Sequence, residues 1–288
     1  MQEIYFQEGK LPIYTCRECL KTHDVHSEIT HLHQDVELVS VLSGNLSCQT
    51  GASEFELKKG DICFINRKQI HALRPLENDR SRHRVLVIGT KLLTQIPAVY
   101  EKYIRDLIED VRFSHVRFRG RNSHAGEINA LMDRIEVLTK EESSGYELEL
   151  LSILYRILWL LHEAYIGEGK MDPVDGNLIT VEKMTEYIYE NYGEPLTLDD
   201  IAKAGNVSRS QCSKLFKEYT KMSPVALLNH HRLEKSCDFL RSTSKSVAEI
   251  AAECGYSDQS YFSRAFQKQY GTTPLEYRKA GLSGLKAG

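Results

Sequence analysis

The stretch Ser246-Val-Ala-Glu-Ile-Ala-Ala-Glu-Cys-Gly-Tyr-Ser-Asp-Gln-Ser-Tyr-Phe-Ser-Arg-Ala-Phe266 reads as a short helix, a tight turn and a second helix. It is the second copy of a repeat. Thr197-Leu-Asp-Asp-Ile-Ala returns 49 residues later as Ser246-Val-Ala-Glu-Ile-Ala, and Ser208 returns as Ser257. The second copy then gains one residue. Ser213, Lys214 and Phe216 return at an offset of 50 as Ser263, Arg264 and Phe266, and Pro224 returns as Pro274.

Each copy divides into an inward and an outward face. Leu198, Ile201 and Ala202 form the apolar side of the first short helix, and Asp199 and Asp200 lie in its first turn, where the helix dipole favours negative charge. Gly205-Asn206 makes the turn, with Gly255 at the place of Asn206; both residue types tolerate a left-handed backbone. Ser208 and Ser257 are the expected N-caps of the second helices. Cys212, Leu215, Phe216 and Tyr219 point inward, as do Phe262, Ala265, Phe266 and Tyr270. What remains outside is Arg209, Ser210, Gln211, Ser213, Lys214 and Lys217 in one copy, and Gln259, Ser260, Ser263, Arg264 and Lys268 in the other. Small hydrogen-bonding groups beside cations are the chemistry of a helix lying in a major groove, where Arg or Lys meets guanine or phosphate and Gln meets adenine. One such face alone is more often merely solvated. Two of them, joined by a long apolar-striped helix over Pro224–Leu240, suit successive major-groove faces roughly 34 Å apart.

From about Ile179 to Ala280 the chain resembles the AraC/XylS family of bacterial transcription regulators. The residues that carry the resemblance are Ile250-Ala251, Cys254-Gly255-Tyr256-Ser257-Asp258, Ser260-Tyr261-Phe262-Ser263-Arg264-Ala265-Phe266, Gly271, Pro274 and Tyr277-Arg278. The resemblance implies a seven-helix domain with two recognition helices, the first reading bases more strictly and the second leaning on the backbone. It also implies a promoter operator in double-stranded DNA and RNA polymerase as partners, and activation as the usual direction of control. Asn206 stands where Gly is common, and Ser210 is small where relatives carry a larger side chain.

Upstream the period changes. Glu37–Leu42, Ser47–Thr50, Glu54–Leu57, Ile62–Ile65 and Arg84–Ile88 are short strand-like runs separated by Gly turns, which predict a small antiparallel barrel or jelly roll. His31-x-His33-x3-Glu37-x6-Gly44 resembles the first cupin motif. Gly60-x5-Asn66-x4-His71 resembles the second, with Asn66 and Lys68 where Pro and Gly are expected. In cupin enzymes that His/Glu set binds one metal. In a sensor barrel the same residues can instead grip a sugar hydroxyl or a carboxylate. His31, His33, Glu37 and His71 are thus the candidate effector site, with metal binding as the lesser alternative and no cofactor expected.

After Pro97 helical spacing sets in: Val99, Tyr103, Leu107 and Val111, then Glu127–Val137, then Tyr146–Tyr165. The last is apolar nearly all round, with Leu148, Leu151, Leu154, Ile157, Leu158 and Leu161, and predicts a homodimer contact. The expected organisation is α+β and multidomain: a cupin-like antiparallel β-barrel over 1–90, a helical dimerisation segment over 91–166, a linker over 167–178 and an all-α double helix-turn-helix domain over 179–288.

Composition sets limits. The net charge is −3, but from Ile179 onward there are 15 basic against 13 acidic residues, so any DNA contact rests on a local basic face. Seven cysteines, an odd number, suit a reducing cytoplasm. Cys16-x2-Cys19 has no second ligand pair nearby and reads as two free thiols, and His230-His231 reads as a surface or phosphate-facing pair. There is no secretory h-region, no membrane-length apolar run, no Walker loop and no nucleophile elbow. The leading function is a DNA-binding regulator, not an enzyme, that answers a small-molecule effector, with carbohydrate suggested by the family. The alternatives are a metal- or redox-responsive sensor and a metal-dependent cupin enzyme fused to a DNA-binding domain.

Overall fold

The computed structural model describes residues 10–17, 30–51, 53–76, 81–121, 123–167 and 175–284. The chain divides into two compact units, Glu3–Asp175 and Gly176–Gly288. Cys19 and most of the expected linker lie outside the described residues.

The first unit opens with seven strands: β1 (Ile13–Arg17), β2 (Val36–Ser43), β3 (Asn45–Thr50), β4 (Ser53–Lys58), β5 (Ile62–Ile65), β6 (His71–Pro75) and β7 (Arg82–Ile88). Short helices α1 (Thr90–Leu93), α2 (Pro97–Val99) and α3 (Arg105–Glu109) follow, with a π turn over Tyr100–Ile104 between the last two. Then come β8 (His115–Phe118) and the long helices α4 (Ser123–Glu141) and α5 (Tyr146–Gly167). The strands form two antiparallel sheets, ordered β1-β7-β2-β5-β8 and β4-β3-β6. Of the expected barrel or jelly roll, the strands form the two facing sheets of the latter and not a closed barrel. Strand β8, hidden in a stretch that reads as helix, extends the larger one.

Alternation along the strands sorts side chains between two cores. Val39 and Val41 of β2, Cys63 and Ile65 of β5, and Val85 and Val87 of β7 meet Leu46, Cys48, Leu57 and Leu73 of the smaller sheet. Their neighbours Val36, Leu38, Ile62, Phe64, Leu86 and Ile88 face the opposite way and pack with α4 and α5. Glu37 sits between Val36 and Leu38, so the same alternation turns it into the space between the sheets. Buried Arg84 ties β7 to α4 through Asp133 at 2.5 Å and the Asn129 carbonyl at 2.6 Å.

Two helical expectations need correction. Of Val99, Tyr103, Leu107 and Val111, only Leu107 is fully buried; the helix stops at Glu109, leaving Val111 exposed. In α5, Leu154, Ile157, Leu158 and Leu161 belong to the unit's own core. The apolar groups left outside are Leu148, Trp159 and Ile166, 76%, 45% and 60% exposed. By length and composition alone α5 is apolar enough to cross a bilayer.

The second unit is helical: α6 (Gly176–Glu190), α7 (Leu198–Ala204), α8 (Arg209–Thr220), α9 (Pro224–Ser242), α10 (Val247–Glu253), α11 (Gln259–Tyr270) and α12 (Pro274–Gly284). Helix α6 starts inside the stretch that reads as linker. Capping boxes open both short helices of the repeat, Thr197 with Asp200 and Ser246 with Glu249. Asn206 and Gly255 take positive φ, 54° and 76°. Ser208 caps α8, but Asp258 rather than Ser257 caps α11, accepting from the Tyr261 amide at 2.5 Å. The residue gained in the second copy moves the cap along by one.

Candidate functional site: two helix-turn-helix units and a histidine cluster

Helices α8 and α11 bury one face each. Cys212, Leu215, Phe216 and Tyr219 are buried on α8; Phe262 and Phe266 are buried on α11, with Ala265 and Tyr270 packed against the same core. On the other face of α8, Arg209, Ser210, Ser213, Lys214 and Lys217 are exposed, while Gln211 is half-buried. On α11 Gln259, Ser260, Arg264 and Lys268 are exposed and Ser263 is half-buried. Arg209 is paired with Asp199 of α7 at 2.7 Å, which orients its guanidinium. Sequence reading passed over Tyr261, which is 52% exposed and shares the α11 face of Arg264 and Lys268, three and seven residues on. An aromatic one position from the inward Phe262 was the available signal.

His230 and His231 are buried, not surface groups. His231 stacks on Tyr189 with ring centroids 4.1 Å apart, and burial pushes its pKa well below the usual histidine range. His230 Nε2 lies 3.2 Å from Glu234.

In the first unit the structure brings His31, His33, Glu37 and His71 together. One donor atom from each lies within 4.8 Å of every other; His33, Glu37 and His71 are buried and His31 is half-buried. The backbone locks them. His31 and His71 exchange two backbone hydrogen bonds of 2.9 Å, and the Lys68 amide donates to the His33 carbonyl at 2.7 Å. Lys68 adopts φ 59°, the left-handed conformation for which a glycine is the easier residue. Asn66 donates to the carbonyls of Leu107 and Phe113 at 2.9 and 2.8 Å, tying that turn to α3 and to the segment after it. His33 Nε2 is 2.9 Å and His71 Nε2 3.4 Å from Glu37 Oε2. Burial works against the Glu37 charge, but the adjoining His33 and His71 outweigh it and hold the carboxyl well below the usual range.

A fifth polar group, His83, also faces the space between the sheets. It is fully buried, neither ring nitrogen has a hydrogen-bond partner, and burial lowers its pKa to about 4. Extending strand β7 one residue before Arg84 puts it in phase with Val85 and Val87, a signal present in the sequence. Cys48 and Cys63 line the same interior as free thiols, and Cys16 lies on β1.

A pair of facing sheets with two helices, followed by two capped helix-turn-helix units, defines a transcription regulator that joins a ligand-binding domain to a DNA-binding domain. Residues 18–158 match the AraC-like ligand binding domain and residues 201–280 a helix-turn-helix domain, and the chain belongs to the AraC family. YdeC, an HTH-type transcriptional regulator of Bacillus subtilis (strain 168), is 25% identical over 252 residues, which cover 86% of this chain and 85% of the relative. The lactose operon transcription activator of Staphylococcus xylosus is 29% identical over 140 residues, 48% of this chain and 49% of the relative. Among solved structures, ToxT of Vibrio cholerae strain SCE256 with a bound unsaturated fatty acid shares the fold, with a TM-score of 0.54 at 15% identity over 95% of this chain and 97% of that one. The Bacillus and Staphylococcus relatives are a transcriptional regulator and a transcription activator, and the chain is a DNA-binding transcription regulator.

Proposed function

We propose that the protein is an effector-responsive regulator, in the usual case an activator, working in the cytoplasm. It reads an operator through Arg209, Ser210, Gln211, Ser213, Lys214 and Lys217 on α8 and through Gln259, Ser260, Ser263, Arg264 and Lys268 on α11. The observation that carries this reading is the recurrence, on two separately capped helices, of one exposed face of cations and small hydrogen-bonding groups. A merely solvated face has no reason to recur in register with the buried one. RNA polymerase is the proposed downstream partner.

The signal enters the first unit at His31, His33, Glu37 and His71, the cupin-like positions, where a preorganised polar cluster adjoins the apolar core between the sheets. Carbohydrate is the proposed class of effector, supported by the lactose operon relative. A homodimer forms through the exposed face of α5. The seam is Leu148 and half-buried Tyr155 seven residues apart, beside Trp159 and Ile166 with the same spacing, a repeat suited to a second helix. The test is selection of DNA from a random pool by the full chain, followed by a reporter carrying the selected site. Recovery of no shared sequence overturns the reading.

A further inference from the structure

The geometry points to a divalent transition-metal ion held by His31, His33, Glu37 and His71. The inference rests on the reading of this cluster as the sensing site and deepens it.

The hydrogen bonds behind the cluster decide which ring nitrogens are left. His33 Nδ1 lies 2.8 Å from the Asp35 carbonyl oxygen, and His71 Nδ1 lies 2.8 Å from the Gln69 carbonyl oxygen. A carbonyl only accepts, so both Nδ1 atoms carry hydrogen and donate. In the neutral rings each Nε2 is then a bare lone pair. Both lone pairs are aimed at one carboxylate oxygen, Glu37 Oε2.

Three electron-pair donors thus face one another in a buried site. One proton relieves only one contact: placed between His33 and Glu37 it accounts for the 2.9 Å approach, and it leaves His71 Nε2 opposite Oε2 at 3.4 Å. That nitrogen has no hydrogen-bond partner and its residue is fully buried. A buried polar atom left so is costly. Neither neutral nitrogen can give Glu37 a hydrogen, and an anion would add a second negative charge beside the carboxylate. A dication satisfies every donor at once. His31, whose ring centroid is 4.2 Å from that of His71, brings the third imidazole.

The donor set is that of a first-row transition metal: three imidazoles and one carboxylate suit Zn, Ni, Co, Fe or Mn, and no thiolate belongs to the group. The carbonyls of Asp35 and Gln69 are the outer partners that a ligating histidine ordinarily has, fixing tautomer and ring orientation. Backbone hydrogen bonds already join His31 to His71 and His33 to Lys68, so the ligands are arranged in advance.

The test uses the full chain, stripped with a chelator and titrated with Co2+ under visible absorption, with Zn2+ content measured by mass spectrometry after gel filtration. The expected result is one saturable equivalent per chain with a nitrogen- and oxygen-ligand spectrum. Affinity falls by more than about 100-fold in Glu37→Gln and in His71→Gln, beyond the loss from an outer partner. His83→Gln, in the same interior but outside the cluster, retains full occupancy. Near-ultraviolet circular dichroism of the stripped variants checks the fold; should both be unfolded, the wild-type stoichiometry and spectrum decide. No saturable binding to wild type, an intense thiolate band, or unchanged affinity in folded variants overturns the metal site. The same variants in the reporter separate the two readings. A wild type without metal whose Glu37→Gln variant loses its response sinks the metal and keeps the sensing site. Metal lost with the response intact keeps the metal and sinks the sensing role.

Discussion

Gly255 closes its turn against the guanidinium of Arg232: a Cβ at this position would stand 2.7 Å from Arg232 Nη2 and 2.7 Å from the Tyr192 carbonyl oxygen. Arg232 lies on α9, which joins the two helix-turn-helix copies. It donates to the carbonyls of Tyr192 at 2.8 Å and Glu194 at 2.7 Å, in the segment between α6 and α7. One side chain therefore ties the turn of the second copy to the first. Arg278 of α12 does related work, donating to the carbonyls of Leu240 and Lys245.

Gly255→Ala meets both a positive φ and the Arg232 contact, and we expect it to destabilise the protein by about 2 kcal/mol. Asn206→Gly, at the matching place in the first copy, changes stability by less than about 1 kcal/mol, since Asn already accepts that backbone. Urea unfolding of both variants is the check. Equal losses in the two would mean that the contact with Arg232 carries no weight.

Lys214→Ala and Arg264→Ala separate base reading from backbone grip. A residue that meets a base costs roughly 1–3 kcal/mol on the selected operator and relaxes specificity there. One that meets phosphate weakens every sequence alike and reduces the salt slope by about one. Tyr261→Ala belongs in the same series, because its ring lies on the Arg264 face. Binding isotherms at four salt concentrations distinguish these outcomes, and no change in any variant removes α8 and α11 from the interface.

His83 makes stability depend on pH. Its folded pKa of about 4 lies below the ordinary 6.5. Between those values the unfolded chain binds a proton that the folded one does not, so stability falls as pH falls through that window. The full effect is roughly 3 kcal/mol. His83→Leu removes the titration and two unpaired nitrogens, and flattens the profile of unfolding free energy between pH 6.5 and 4. An unaltered slope in the variant assigns the acid sensitivity to other groups.

Trp159→Glu combined with Ile166→Glu puts two charges on the free face of α5 while leaving Leu154, Ile157, Leu158 and Leu161 in place. We expect sedimentation equilibrium to show a dimer for the parent chain and a monomer for the double variant, with unchanged helix content. A monomeric parent at micromolar concentration removes this interface.

Much of the fold was legible because local patterns carried it. The repeat from Thr197 to Pro274 announced its own helices, turns and buried face, since an apolar position every three or four residues has one consistent solution. Alternation did the same for β2, β5 and β7. The cap of α11 was misread by one residue because Ser257 and Asp258 are both good caps; the offset of 50 that matches Ser213 to Ser263 matches Ser208 to Asp258 as well. Strand β8 was missed because four residues, His115–Phe118, hold no pattern longer than a turn of helix.

By itself the sequence determined the family, the two-part organisation and the residue types able to read DNA, because these depend on spacing along one chain. It also put His31, His33, Glu37 and His71 on a common list by motif. Tertiary structure alone decided that their donor atoms share a point, since that depends on the turn from Asn66 to Lys68 and on the bridge between His31 and His71. It decided likewise which apolar side of α5 is core and which is free, and that His230 and His231 are enclosed. Burial is a property of what packs around a residue, and the neighbours of Leu161 or His231 come from segments far away in the chain.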